Sequence, residues 1–116
     1  EIVIFTLPNG KTCVKRIIGL PGDMISYKDD TLYVNGKAVD ESFLDDVKRQ
    51  YNTYTSDFSL NELIGKKRVP ENQYFVLGDN RRISKDSRTI GTIKSEWISG
   101  RVLLNYWPIT SFKLFN

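Results

Sequence analysis

The sequence contains no histidine, a single cysteine (Cys13) and a single methionine (Met24) in 116 residues. Without histidine, the chain cannot complete a Ser-His-Asp or Cys-His catalytic arrangement, and it cannot form a histidine-rich metal site. One cysteine cannot form a disulfide within the chain, so the cysteine content says little about the redox compartment. We expect no bound metal and no cofactor.

Long apolar runs and a strong charge of one sign are also absent. No segment approaches the ~20 apolar residues of a membrane-spanning helix, and the opening residues do not form a signal-peptide pattern. Seventeen Lys and Arg oppose fourteen Asp and Glu, which gives a net charge of +3, and the densest basic run is Lys66-Lys67-Arg68. Nucleic-acid binding needs a concentrated basic face, so we expect no nucleic-acid partner.

The first residue, Glu1, stands at the head of an apolar stretch and is not an initiator methionine. We therefore expect the chain to be a piece of a longer protein; whether that protein has a membrane anchor upstream is a separate question. The length is typical of one domain, and 40% hydrophobic residues with 12% aromatics suffice for a core. A single domain over residues 1–116 is the prediction.

Short strand-like segments separated by turns dominate the chain. Pro8-Asn9-Gly10, Pro21-Gly22-Asp23, Asp29-Asp30 and Asn35-Gly36 are the turns, and Asn-Gly is the strongest short hairpin indication. The strand-like segments are 2–5, 12–18, 24–27, 31–34, 37–39, 73–77 and 97–106. Residues 41–65 break this pattern, with a weak helical stretch at Leu60, Leu63 and Ile64. The sequence predicts an all-β fold of short, mostly antiparallel strands with a variable insertion at 41–65.

The segment 78–88 is the most polar part of the chain and directly follows a strand-like run. Such composition usually indicates a solvated surface loop. Gly, Asn and Ser among opposed charges can instead hold a tight, unusual backbone path, and Asp86 with Arg88 suits a charge-assisted pair. A calcium loop is a poor interpretation, because the EF-hand spacing is not met and three arginines would repel the cation.

Lys15 lies in the strand-like segment 12–18, where alternation places it on one face with Cys13 and Ile17. Apolar neighbours would desolvate the amine and lower its pKa, and a neutral lysine can act as a general base without histidine. The ordinary alternative is a lysine whose stem packs while its ammonium group reaches water.

The two segments together resemble the bacterial type I signal peptidases, the Ser/Lys-dyad leader peptidase family. Lys-Arg-Ile-Ile-Gly-Leu-Pro-Gly-Asp at 15–23 matches the lysine box of that family, and Gly-Asp-Asn-Arg-x-x-Ser-x-Asp-Ser-Arg at 78–88 matches its C-terminal box. Residues 1–5 and 91–101 are similar to further family strands. Two boxes in the correct order are far more specific than a lone motif.

The resemblance implies a role for each matching residue. Lys15 is the general base, and Ser84 orients its amine. Thr12, Cys13 and Val14 form the strand beside which the substrate lies extended, as in β-augmentation. The residues expected to support the site are Asp79, Asn80, Arg81, Asp86 and Arg88.

The nucleophile of this family is a serine in a Ser-Met-x-Pro box, and this chain contains no such box. We expect the nucleophile upstream, and we expect this chain to be inactive alone. The resemblance implies cleavage of Ala-x-Ala-type signal peptides from preproteins, by an enzyme whose catalytic domain lies on the extracytoplasmic side of the cell membrane. The aromatic tail after Tyr106 suits core closure or contact with the membrane surface.

Two other functions remain open from the sequence. One is a Ser/Lys autoprotease of the LexA repressor type, which shares the β fold. The other is a non-catalytic peptide-binding β module built on the same scaffold.

Overall fold

The computed structural model describes residues 1–51, 53–83 and 85–102. Ser84 and the aromatic tail therefore lie outside the described residues. The strands are β1 (Ile2–Thr6), β2 (Thr12–Gly19), β3 (Ile25–Lys28), β4 (Thr31–Val34), β5 (Lys37–Val39), β6 (Phe58–Ser59), β7 (Gln73–Leu77), β8 (Ile93–Lys94) and β9 (Ile98–Val102). The helices are α1 (Asp45–Lys48), α2 (Leu60–Ile64) and α3 (Ser87–Ile90), with 3-10 turns at Ser42–Leu44 and Ser95–Trp97.

The strands form two sheets. The first has the order β8-β7-β2-β1-β9 and the second the order β5-β4-β3-β6. Every pairing within them is antiparallel. The predicted all-β class of short antiparallel strands is confirmed. None of the helices in the described ranges has the length and apolar character needed to cross a membrane.

Strand β7 contributes to two apolar clusters, one on each of its faces. Phe75 and Leu77 pack with residues of the second sheet, whereas Val76 packs with the first sheet alone. This alternation follows from the two-residue period of a strand, and burial on both faces explains the continuous apolar run at the end of β7. The buried members of the first cluster are Ile25, Tyr27, Leu32, Phe58, Leu60, Val69, Phe75 and Leu77. Those of the second are Val3, Phe5, Cys13, Val76 and Ile93.

Gly19 ends β2 where the two sheets approach most closely. A Cβ atom on Gly19 would lie 2.8 Å from Cδ1 of Ile25 and 3.2 Å from Cβ of Phe75. Glycine is therefore required here by close packing, since any side chain would displace Ile25.

Both tight hairpins of the second sheet turn through two residues with positive φ. Asn35 and Gly36 have φ values of 54° and 81°, as the Asn-Gly pair predicts, and Asp29 and Asp30 have values of 50° and 63°. The side chain of Asn35 also accepts a 2.8 Å hydrogen bond from the N–H of Met24. The strand predicted to start at Met24 therefore starts one residue later.

Several described residues of the segment 41–65 pack against or bond to the second sheet. Strand β6 pairs with β3, and the predicted helical stretch forms α2. The side chain of Ser59 caps α2 at its start, and Gly65 ends it with φ 72°. The carboxylate of Asp30 accepts hydrogen bonds from the N–H groups of Tyr54 and Thr55, at 3.0 and 2.7 Å. The variable length of this segment and the single-domain boundary stay predictions.

Candidate functional site

Lys15 lies in the interior of the first sheet. It is opposite Val3 of β1, and its residue is only 5% exposed. Its neighbours Cys13, Val14 and Arg16 are buried too, so β2 is covered on both faces and not only on the predicted one. Burial lowers the pKa of Lys15, and the negative charge of Asp86 opposes this effect.

Asp86 and Arg88 form the ion pair that their spacing suggested. The guanidinium Nη2 and Nε of Arg88 lie 2.8 and 2.9 Å from Oδ2 and Oδ1 of Asp86. The fully buried Asp86 also accepts a 2.9 Å hydrogen bond from the N–H of Gly78. Its carboxylate therefore joins the end of the polar segment 78–88 to its beginning, and this segment is hereafter called the box loop.

Arg81 connects the two ends of the box loop by hydrogen bonds. Its Nε donates to the carbonyl of Gly78 at 2.7 Å, and its own carbonyl accepts from Nη1 of Arg88 at 2.9 Å. Its Nη2 forms a 2.9 Å salt bridge with Oε2 of Glu41, and both side chains are almost completely buried. Burial alone would lower the pKa of Arg81, but the charge and hydrogen bond of Glu41 outweigh burial and raise it. Arg81 is therefore a permanent buried cation.

Asp79 connects the box loop to β2. Its carboxylate accepts two hydrogen bonds from Arg16, from Nε at 2.9 Å and from Nη2 at 2.7 Å. The backbone carbonyl of Asp79 accepts a 2.7 Å hydrogen bond from the hydroxyl of Tyr54. The ring of Phe43 lies 3.9 Å from the guanidinium carbon of Arg16, a cation–π contact beside Lys15.

The remaining predicted residues are placed less centrally. Asn80 is exposed, and its carbonyl accepts a 3.4 Å hydrogen bond from the N–H of Ile83. Ser87 is buried, and its hydroxyl accepts a 2.9 Å hydrogen bond from the N–H of Val76. Ser84 lies outside the described residues. No group of His, Cys, Asp or Glu in the described ranges has the arrangement of a metal site.

One edge of β2 is open next to Lys15. Residues 12–15 pair with β1, but the pairing with β7 on the opposite edge starts only at Arg16. In the described ranges, no strand pairs with this second edge at Thr12, Cys13 or Val14. The backbone of β2 thus has an unpaired edge that an extended peptide can join.

Sequence reasoning missed residues that touch the box loop or β2, among them Glu41, Phe43 and Tyr54. All three belong to the segment predicted to be a variable insertion. They are separated from their partners by 25 to 40 positions in the chain, and no local pattern marks such contacts. The one available indication was Glu41 itself, an acidic residue two positions before the apolar Phe43-Leu44 pair.

Comparison with known proteins agrees with this arrangement. Residues 1–107 match the family model described as signal peptidase, peptidase S26. The chain is 49% identical over 114 residues to a signal peptidase I of Bacillus caldolyticus, and 42% identical over 119 aligned positions to a signal peptidase IB of Staphylococcus aureus. Each alignment covers 97% of this chain but only 63% and 62% of those relatives, respectively.

The fold is also similar to a solved structure of this kind. A crystal structure of a signal peptidase I from Enterococcus faecalis superposes with a TM-score of 0.83 at 44% sequence identity. The match covers 88% of this chain and 92% of that one. A family match across most of the chain, relatives above 40% identity and a shared fold lead to one conclusion: the chain belongs to the signal peptidase family, peptidase S26.

Proposed function

We propose that the whole protein carrying this chain is a signal peptidase I, which cleaves N-terminal signal peptides from preproteins with Lys15 as its general base. The observation that carries the proposal is the burial of Lys15 on β2 beside the Asp86–Arg88 pair. The relatives of this chain bear the name signal peptidase, and the substrate class follows from that name.

The environment of Lys15 suits a base that works near neutral pH. A lysine in water is protonated at neutral pH and has no lone pair to accept a proton. Burial lowers the pKa of Lys15, which increases the fraction of neutral amine. In the proposed reaction, the neutral amine takes the proton of a serine hydroxyl while the serine oxygen bonds to the scissile carbonyl carbon. Lys15 returns that proton to the leaving amine as the C–N bond breaks, and it then takes a proton from the water that hydrolyses the acyl-serine ester and frees the serine hydroxyl.

The nucleophilic serine is proposed to lie in the part of the whole protein that the chain does not cover. This chain spans less than two thirds of its relatives and contains no Ser-Met-x-Pro box. In the same proposal Ser84 holds the amine of Lys15 in place. Asp79, Asn80, Arg81, Asp86 and Arg88 shape the box loop around it.

The substrate is proposed to lie extended along the open edge of β2. Thr12, Cys13 and Val14 offer backbone N–H and C=O groups there, directly before Lys15. Addition of a peptide strand at this edge brings its scissile bond toward the amine. Small side chains at alternate positions, as in Ala-x-Ala, fit a strand that lies close against a buried sheet. The proposed location is the extracytoplasmic side of the cell membrane, with contact to the membrane surface.

The alternatives left open by the sequence gain no support. The family model and the named relatives are signal peptidases and not LexA-type autoproteases. A non-catalytic peptide-binding module does not require a buried lysine whose pKa burial lowers.

Replacement of Lys15 by alanine in the whole protein tests the proposal. We expect Lys15→Ala to reduce cleavage of a reporter preprotein by about 100- to 10,000-fold, since a general base contributes on that scale. The circular dichroism spectrum should stay unchanged. Lys28→Ala, which removes an exposed lysine at the end of β3, is the matched control and should cleave normally. Normal cleavage by Lys15→Ala would exclude the assignment.

A further inference from the structure

Glu41 is a buried carboxylate that the proposed reaction does not use. It follows β5 of the second sheet, precedes the 3-10 turn Ser42–Leu44, and its side chain is only 3% exposed. A carboxylate at such a depth requires strong partners, because removal of its hydration is costly. Those partners are Arg81 and the hydroxyl of Tyr27, which donates a hydrogen bond to Glu41.

A series of polar contacts connects Glu41 to Asp86, whose charge acts on Lys15. Glu41 holds the guanidinium of Arg81, at 2.9 Å. The carbonyl of Arg81 accepts from Arg88 at 2.9 Å, and Arg88 clamps Asp86 with two hydrogen bonds. Asp86 is in turn the charge that acts most strongly on Lys15.

The position of Arg81 explains why this series controls geometry. Its Nε holds Gly78, the first residue of the box loop, and its carbonyl holds Arg88, the last. Arg81 can hold both ends of the box loop only while its guanidinium group is itself held in place. Glu41, which follows strand β5 of the second sheet in the chain, holds this guanidinium group. The box loop is thus connected to both sheets.

We propose that Glu41 is a positioning residue for Lys15, acting through Arg81 and the Asp86–Arg88 pair. This inference rests on the proposed function, because it assigns to the segment 41–65 a part in the same site. In this proposal the segment 41–65 contributes to the site, because it supplies the Glu41 carboxylate that positions the box loop relative to Lys15.

Tyr54 gives a second, independent contact from the same segment. Its hydroxyl donates to the carbonyl of Asp79 at 2.7 Å, and Nη1 of Arg82 donates to the carbonyl of Thr53 at 2.9 Å. These bonds hold the first half of the box loop without any buried charge. Loss of the Tyr54 hydroxyl therefore loosens the loop without leaving an unpaired ion in the core.

The test compares Glu41→Gln with Asp40→Asn in the whole protein. Both variants replace a carboxylate by an amide of nearly equal size, but Asp40 is exposed whereas Glu41 is buried. We expect Glu41→Gln to lower kcat for a reporter preprotein by about 10- to 100-fold, the scale of a small misplacement of a catalytic group. KM should change by less than about twofold, because the open edge of β2 is untouched. Asp40→Asn should match the wild type.

A second measurement follows Lys15 itself, by NMR titration in protein labelled with ¹³C-lysine. The titratable groups that act on Lys15 are Asp86, Cys13, Lys11 and Arg88, and burial is the largest influence on its pKa. A loosened box loop admits water, so the pKa of Lys15 should rise toward its ordinary value in Glu41→Gln and not in Asp40→Asn. General destabilisation of a protein that remains folded would not move this titration.

The outcomes separate the inference from the proposed function. A folded Glu41→Gln variant with wild-type kcat and an unchanged Lys15 titration overturns the inference. If Glu41→Gln does not fold, Glu41→Asp decides, because it keeps the charge but shortens the side chain by one methylene: a lower kcat with a shifted Lys15 titration supports the inference, and wild-type behaviour overturns it. A wild-type protein that cleaves no preprotein defeats the proposed function alone, because the Lys15 titration still reports whether Glu41 positions the base.

Discussion

Lys15 and Arg81 are both buried, and their surroundings drive their pKa values in opposite directions. Lys15 is buried in the first sheet, where desolvation outweighs the charge of Asp86 and lowers its pKa. Arg81 is buried between the sheets, where Glu41 outweighs desolvation and raises its pKa. Both residues are 5% exposed or less, so burial alone does not explain the difference.

The difference lies in how each neighbouring anion is engaged. Glu41 forms a 2.9 Å salt bridge with Arg81, whereas Asp86 gives its two oxygens to Arg88 and to Gly78. A carboxylate already engaged by an arginine neutralises a nearby lysine only in part. Arg81 therefore stays charged and acts as a structural brace for the box loop, whereas Lys15 is able to lose its proton.

Removal of the brace should have the largest effect on stability. Arg81→Met leaves Glu41 buried without its counter-ion, and we expect the free energy of unfolding to fall by about 3–5 kcal/mol. Chemical denaturation at neutral pH measures this loss. Arg82→Met removes an exposed neighbour and should cost no more than about 1 kcal/mol. Equal losses of unfolding free energy in Arg81→Met and Arg82→Met would mean that the Glu41–Arg81 pair does not stabilise the fold.

A smaller effect should follow from Tyr27→Phe, which removes the hydroxyl shared by Glu41 and Arg81. We expect a loss of about 1–2 kcal/mol at neutral pH, the cost of one buried hydrogen bond. Burial raises the pKa of Tyr27 above its ordinary value of 10.0. Above that pH the unfolded chain releases the proton and the folded chain retains it, so stability falls as pH rises.

Denaturation of Tyr27→Phe at increasing pH isolates this contribution. The variant should lose less stability above pH 10 than the wild type does. Tyr33→Phe, at a half-buried position of β4, serves as the control. An equal decline in wild type and Tyr27→Phe would contradict the assignment.

The smallest change, and one of opposite sign, is expected for Lys15→Met. Below its lowered folded pKa, Lys15 is charged in both states, and the folded chain bears the cost of burying that charge. Between that pKa and 10.5, the unfolded chain binds more protons, so the wild type gains stability as pH rises. Lys15→Met should therefore be at least as stable as the wild type near pH 7, and the gap should close toward high pH. Urea denaturation of both proteins over this pH range measures the difference in their free energies of unfolding. A difference that widens as the pH rises would refute the prediction.

Much of the fold was predictable because its determinants are local. The Asn35-Gly36 turn forms as its sequence indicates, since both residues accept positive φ at little cost. The run 74–77 predicts β7, and two-sided burial accounts for its lack of polar alternation. The Asp86–Arg88 pair was predictable too, because its partners are two residues apart and arginine matches a carboxylate with two parallel bonds.

The Asp29-Asp30 turn shows where local reasoning ends. Two aspartates at positive φ are less favourable than Asn-Gly. Contacts from residues distant in the chain stabilise this turn: Asp30 accepts the N–H groups of Tyr54 and Thr55, and its carbonyl accepts from Lys48 at 2.7 Å. Strand β6, which pairs with β3, makes part of the segment 41–65 a member of the second sheet, which the composition of the segment did not indicate.

By itself, the sequence determined the longer strands, the two boxes of the family and the lysine that the reaction is proposed to use. These depend on neighbouring residues, through the two-residue period of a strand and the chemistry of tight turns. Only the tertiary structure decided the charge state that each buried cation favours and the partner that holds it. Glu41 meets Arg81 across 40 positions of the chain, and the balance between desolvation and pairing exists only once both have been brought together away from water.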